Sequence, residues 1–369
     1  MMSANPYGFS ACCLAAAGSG SGKTTVSLAL MRALSRRGLT VQPFKCGPDY
    51  LDPGFHDRAC HRSSRNLDSW MMGPAGVTAS YAAAAAGADV AVIEGVMGLF
   101  DGVRPGDLSG STAETARLTG APVLLVVNAR GMAGSMAALV GGFVAFRPEI
   151  RIAGVIADQV GSAHHAALLR EALSAAALPP LLGYFPRRDE WRLPERHLGL
   201  VPYAETRCPE TWFESLADAA EQYCDLNEIL QRCRTPRPAL PPGPVSPVAP
   251  ERPCRLGVAR DAALHFYYHD NLDLLARHGI TPVFFSPLND PTLPENLAGL
   301  YLGGGFPEIF AAQLADNKSM RQSIRDFAAS GRPVYAECGG FMYLAETLTD
   351  AAGTSYPMCA LVPGRAIMA

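Results

Sequence analysis

No segment of this chain stays apolar for the roughly 20 residues that a membrane helix requires. Even "ADVAVIEGVMGLF" is interrupted by an acid and by glycines, so no transmembrane span is expected. Excess charge is also missing. The 31 basic and 34 acidic side chains leave a formal charge of -3, which argues against nucleic acid or an anionic membrane as partner and for a small-molecule substrate. The ten cysteines form no CxxC pair and no regular framework. The opening residues lack the basic region, apolar run and small-residue cleavage site of a secretory signal. Both absences point to a reducing, cytoplasmic compartment. No internal repeat breaks the sequence into units.

What is present is an alternation. From residue 10 to about 200, the short apolar runs "SACCLAA", "TVQPF", "ADVAVIE", "PVLLVVN" and "IAGVIAD" are separated by longer helical patterns. That order predicts an α/β fold, a parallel sheet covered by helices. The alanine run 82–86 belongs to one of those helices. The stretch "TPRPALPPGPVSPVAPERP", 235–253, holds eight prolines, which can neither continue a helix nor donate to a sheet ladder. Beyond it "RLGVARD", "ITPVFFSP", "LAGLYLGGG" and "PVYAECGG" repeat the strand pattern. At 369 residues two domains are expected, 1–232 and 254–369, joined by a linker at 233–253.

"AAAGSGSGKTTVSLALMRAL", 15–34, follows the first strand and opens an amphipathic helix, the setting of a phosphate-binding loop. Gly18, Gly20, Ser21 and Gly22 supply a backbone that can close around phosphate oxygens, Lys23 can reach the outer phosphates, and a hydroxyl of Thr24 or Thr25 can hold Mg²⁺. The spacing departs from GxxxxGK[ST], because Ala17 stands where the first glycine would be. Binding of a nucleoside triphosphate such as ATP is predicted.

Two acidic groups stand at strand ends of the same half: Asp49 and Asp52 in "FKCGPDYLDPGFH", and Glu94 and Asp101 in "VIEGVMGLFDG". In an open parallel sheet ligands bind outside the carboxyl ends of the strands, so these four carboxylates should converge on the phosphates, where they can coordinate Mg²⁺. Taken singly, Asp49 and Asp52 can equally build a turn, and Asp101 a cap. Lys45 and His56 beside them are either solvated or in contact with an anionic substrate. The run "RRDEWRLPERHLGLVP", 187–202, has four arginines; it reads equally as a solvated face or as a grip for carboxylates.

"VYAECGGFMYL", 334–344, has the pattern of a nucleophile on a sharp strand-to-helix turn. A buried structural cysteine fits Cys338 poorly, since Gly339 and Gly340 would be needless in a packed core. Glu337 is read as structural or helix-capping. A thiol nucleophile ordinarily needs a histidine, yet none follows Cys338 before Ala369. Of the preceding ones, His265 and His269 are expected to pack or face solvent, and His278 to sit at a helix C-terminus.

In order, "SGKTT", "FKCGPDYLDP", "EGVMGLFDG", "PERHLGL", "YLGGGFPE" and "AECGGFMYL" resemble the cobyrinic acid a,c-diamide synthase family, over about residue 10 to the end. The resemblance implies a P-loop, dethiobiotin-synthetase-like parallel-sheet domain followed by a class I glutamine amidotransferase-like α/β domain. It implies ATP-dependent amidation of the a and c carboxylates of cobyrinic acid through an acyl phosphate, with glutamine or ammonia as nitrogen source. The roles it carries over are Lys23 and its loop on the phosphates; Thr24, Glu94 and Asp49 toward Mg²⁺; and Asp49, Asp52 and Asp101 around metal and substrate. Tyr50 and Leu51 then lie against the corrinoid. Cys338 forms the thioester, with Gly339 and the 303–305 run, Gly304 and Gly305, as oxyanion hole. Related nucleotide domains have Asn-x-Val where this chain has "ADQVGS"; Asp158 can accept from an adenine amino group but lacks the amide donor, so looser base selectivity is expected.

In the family a histidine lies well downstream of the cysteine, so the chain is expected to be a C-terminally shortened form of a longer protein. Weak or absent glutaminase activity is expected with it, and ammonia should still support amidation. Competing expectations are the same amidation on nickel-sirohydrochlorin, a ParA-like nucleotide switch, and a pseudoenzyme that only binds partners. A homodimer is left open.

Overall fold

A computed structural model of the chain describes residues 8–191, 193, 195–196, 199–200, 206, 208–239 and 254–368. The chain divides into two compact units, Met1–Pro242 and Gly243–Ala369.

The first unit is built on a seven-stranded parallel sheet in the order β3-β2-β4-β1-β5-β6-β7. Its strands are β1 (Ser10–Ala16), β2 (Val41–Cys46), β3 (Arg65–Leu67), β4 (Val90–Glu94), β5 (Val123–Asn128), β6 (Ile152–Val160) and β7 (Leu181–Pro186). The helices between them are α1 (Lys23–Arg36), α2 (Asp52–Cys60), α3 (Ser69–Ala85), α4 (Thr112–Thr119), α5 (Ser135–Phe146) and α6 (Ala163–Ala175). The unbroken apolar runs have a direct cause: side chains alternate between two faces and both faces are buried. In β1, Cys12, Leu14 and Ala16 enter the core on one side, and Ala11, Cys13 and Ala15 the core on the other. The alanine run lies in and just beyond α3, as expected.

The helix Glu210–Tyr223 packs on α1. Arg32 is shared between Glu210 and Glu214, and Arg37 pairs with Glu221. This fixes α1, and with it the loop at its N-terminus. From the proline-rich stretch, Arg237 donates to the Ala88 carbonyl at 2.7 Å, and Arg234 bridges to Ser10. Its remainder, 240–253, lies outside the described residues, as do six of the sixteen residues 187–202. In the described part of the latter, Arg188 lies over the Trp191 ring and pairs with Glu190, and β8 (Glu195–Arg196) pairs antiparallel with β9 (Gly199–Leu200).

The second unit has a four-stranded parallel sheet, β11-β10-β12-β13, formed by β10 (Cys254–Ala259), β11 (Ile280–Phe285), β12 (Gly299–Leu302) and β13 (Val334–Ala336). A smaller sheet of β14 (Ala345–Thr349), β15 (Ser355–Pro357) and β16 (Val362–Ile367) follows, with β14 central. One apolar core containing Leu302, Ile324, Tyr343 and Leu348 holds this unit together.

Candidate active site

The connection leaving β1 crosses to one side of the sheet and the connection leaving β4 to the other, so a crevice opens between the carboxyl ends of these neighbouring strands. The glycine-rich loop fills one lip. Its left-handed positions fall on Gly20 (φ 71°) and Gly22 (φ 84°), conformations that glycine adopts at no steric cost. Ala17 is not among the positive-φ residues, which is why alanine serves there. Ser21 Oγ donates to the Gly18 carbonyl at 2.9 Å and closes the loop on itself.

The loop after β4 is tied to this lip. Leu99 N–H donates to the Ala16 carbonyl at 2.8 Å, and Lys23 Nζ donates to the carbonyls of Gly18 at 3.0 Å and Met97 at 2.7 Å. Met97 itself sits at φ 50°, an uncommon conformation for a side-chain-bearing residue. Asp101 accepts from Gly98 N–H at 2.8 Å while its side chain stays exposed.

Below the crevice floor is a buried charge network. Glu94 and His56 are each 0% exposed. Glu94 Oε1 accepts from Thr24 Oγ1 at 2.6 Å and Lys45 Nζ at 3.0 Å, and Oε2 accepts from His56 Nε2 at 2.8 Å. It is therefore Thr24, of the two threonines, that meets the acid. Lys45 also pairs with Asp52 and lies 4.0 Å from Asp49. Burial works against the Lys45 ammonium, but Asp52 and Glu94 overcome it and raise its pKa. Burial likewise opposes the Glu94 carboxylate, and Lys45, His56 and Thr24 reverse that and hold it well below the usual range. Burial raises Asp52 well above it, with Lys45 opposing. Lys23 is lowered, first by burial and then by the nearby Lys45 charge.

The sequence alone leaves Lys45 and His56 open as solvated or substrate-contacting; the structure buries both. They are internal partners of Glu94, with His56 held in turn by Ser64 Oγ at 3.1 Å from Nδ1. A lysine and a histidine flanking a Pro-Gly-rich acidic turn were the available signal, but only packing distinguishes a buried partner from a surface charge. Asp49 turns the chain: its Oδ1 accepts from Leu51 N–H at 2.7 Å, leaving Tyr50 and Leu51 half-buried. Asp158 stands at the end of β6 against the phosphate loop, so close that a Cβ on Gly22 would fall 2.2 Å from its Oδ2. Burial raises its pKa. Among the described residues no cluster of three or more His, Cys, Asp or Glu side chains is arranged to hold a metal.

In the second unit Cys338 follows β13 at φ 49°, ψ −119°, a backbone geometry stored as strain at functional turns. Its neighbours explain the glycines. A Cβ on Gly340 would lie 2.2 Å from the Leu302 carbonyl oxygen, one on Gly339 3.0 Å from Gly305 N, and one on Gly304 3.4 Å from Cys338 Cβ. The turn thus nests against the loop leaving β12, with Cys338 exposed between three glycines. Glu337 is structural: its carboxylate accepts from Tyr301 Oη at 2.7 Å and Tyr335 Oη at 3.1 Å. The His265 ring packs on Phe266 and Phe306, and His269 and His278 bracket the helix His269–Arg277.

This pairing of sites has relatives. The family model for the CobQ/CobB/MinD/ParA nucleotide binding domain matches residues 12–201, and that for the CobB/CobQ-like glutamine amidotransferase domain matches 255–369. Cobyrinate a,c-diamide synthase from Syntrophotalea carbinolica is 49% identical over 351 residues, 95% of this chain and 76% of that one. The enzymes of the same name from Dehalococcoides mccartyi strain CBDB1 and Priestia megaterium are 45% and 43% identical, each across 96% of this chain and 77% of theirs. The motifs, the two folds and these identities agree: the chain belongs to the cobyrinate a,c-diamide synthase family.

Proposed function

We infer that this chain is an ATP-driven carbon–nitrogen ligase that converts the a and c carboxylates of cobyrinate to amides, taking nitrogen from glutamine or ammonia. The observation that carries the reading is the convergence of Lys23, Thr24, Glu94 and the Asp101 loop at one crevice. A carboxylate does not yield an amide with ammonia directly, because its oxygen is a poor leaving group. Attack of that carboxylate oxygen on the γ-phosphorus of ATP, with ADP departing, gives an acyl phosphate. Ammonia then adds at the carbonyl carbon and loses a proton, and phosphate leaves.

Each residue has a part in this. Lys23 exchanges the Met97 and Gly18 carbonyls for phosphate oxygens, and the Gly18–Gly22 backbone surrounds them. Thr24 and Glu94 fit Mg²⁺: both offer hard oxygen, and in nucleotide sites this ion takes most of its remaining ligands from phosphate and water rather than from a protein cage. When bound, Mg²⁺ neutralises phosphate charge and orients the phosphoryl group. Asp49 and Asp101 border the ion and the acceptor, Tyr50 and Leu51 contact the corrinoid, and Asp158 faces the nucleotide. Lys45 and His56 hold Glu94 in its ionised form, and Asp52 in turn favours the charged Lys45.

In the second unit Cys338 Sγ attacks the glutamine amide carbon while its proton passes to the amide nitrogen; N–H groups of Gly339 and of Gly304 or Gly305 receive the oxyanion, ammonia leaves, and water then releases glutamate from the thioester. A cytoplasmic setting suits the ten unpaired thiols. The test is mass spectrometry of cobyrinic acid incubated with the protein, ATP, Mg²⁺ and ammonium. The a,c-diamide is expected. No amide on cobyrinic acid, alongside efficient diamidation of nickel-sirohydrochlorin in a parallel incubation, would move the reading to the other macrocycle.

A further inference from the structure

Around the crevice of the first unit four large apolar side chains stand in solvent: Trp70 (76% exposed), Met71 (53%), Met97 (55%) and Val103 (54%). Trp70 and Met71 occupy the first turn of α3, which leaves the carboxyl end of β3; Met97 and Val103 flank Asp101 in the loop leaving β4. The two pairs are joined through one buried carboxylate. A Cβ on Gly110 would lie 2.9 Å from Val103 Cγ2, Gly110 N–H donates to Glu114 Oε2 at 2.7 Å, and the same oxygen accepts from the hydroxyl of Ser69, the residue before Trp70.

The exposure is built in, because the backbone beneath it is fixed. Asp68 Oδ1 accepts from the N–H groups of Trp70 at 2.8 Å and Met71 at 2.9 Å. Gly73 (φ 67°, ψ 167°) and Pro74 then break α3, so the first turn stands apart from the helix body that buries Val77 and Tyr81. A tryptophan forgoes a large apolar burial when held in water, and grouped exposure of this kind marks a binding surface.

We propose that Trp70, Met71, Met97 and Val103 form an apolar shelf that receives the flat face of a conjugated macrocyclic acceptor. Its peripheral carboxylates then reach the crevice beside Asp101. The assignment rests on the functional reading above and extends it to the determinants of acceptor choice. Continuity with the crevice favours a small-molecule occupant, since the exposed Asp101 carboxylate lies in the same loop between Met97 and Val103. Four side chains interleaved with Asp101 and Arg104 also fall short of the about 20–30 residues a side of a stable protein interface.

The test uses the full chain and a Trp70→Ala/Met71→Ala variant, titrated with cobyrinic acid and separately with ATP. Wild-type tryptophan fluorescence should be quenched on cobyrinic acid binding, and the variant should bind about tenfold or more weakly. ATP affinity and the thermal midpoint should be unchanged, and Trp70→Phe should restore most of the acceptor affinity. Equal acceptor affinity in wild type and the double variant would overturn the shelf and leave the amidation reading intact. No wild-type binding or conversion of cobyrinic acid would overturn that reading, and the shelf with it. A concentration-dependent dimer lost in the variant, with acceptor affinity unchanged, would assign the face to a second copy and overturn the shelf.

Discussion

His56 Nε2 donates to Glu94 Oε2 across 2.8 Å, and neither side chain is exposed to solvent. The bond leaves Glu94 Oε1 for Thr24 and Lys45. His56 is thus a positioning residue that fixes which carboxylate oxygen faces the phosphate loop.

Replacing His56 with alanine should weaken Mg²⁺-dependent ATP binding about tenfold, the usual effect of removing an outer partner of a metal-facing carboxylate. Calorimetric titration with and without Mg²⁺ checks this. The loss should appear with Mg²⁺ and shrink without it, whereas a merely structural role would weaken both equally.

Lys45 neutralises two buried acids from a position that is only 4% exposed. Lys45→Met leaves Asp52 and Glu94 without their cation and should cost about 3–5 kcal/mol in urea unfolding of the first unit. Adding Asp52→Asn to that variant should recover part of the loss. An unchanged unfolding midpoint in the single variant would show that the network contributes no stability.

Cys338→Ser should abolish the weak glutamine-dependent amide formation expected of this chain, since the hydroxyl is a far weaker nucleophile than a thiolate. Ammonium-dependent formation should stay within about twofold of wild type. Product quantification with each nitrogen source separates the outcomes; equal loss with both would deny the cysteine a role confined to ammonia release.

Gly340→Ala drives a methyl to 2.2 Å from the Leu302 carbonyl oxygen. The obstruction is backbone and cannot swing aside, so a cost of about 2–3 kcal/mol is expected. Calorimetry should show a lower transition for the second unit, with ATP affinity retained in the first.

Much of this protein was determined locally. β1 coincides with "SACCLAA" because a strand buried on both faces must be apolar throughout, and α1 begins at Lys23 because Gly22 can take the left-handed position before it. Cys338 was legible as a strained turn because Gly339 and Gly340 have no other use. Tertiary structure decided what depends on neighbours distant in sequence. His56 and Glu94 lie 38 residues apart, and only the β2–β4 pairing makes Lys45 a buried counter-ion rather than a surface lysine. Trp70 has the composition of a core residue, and nothing in its flanking sequence indicates that Asp68 and Gly73 hold it out in water. Patterning reports which side chains prefer burial, whereas the sign, partner and accessibility of a charge or a ring are set by what the chain crossing brings beside it.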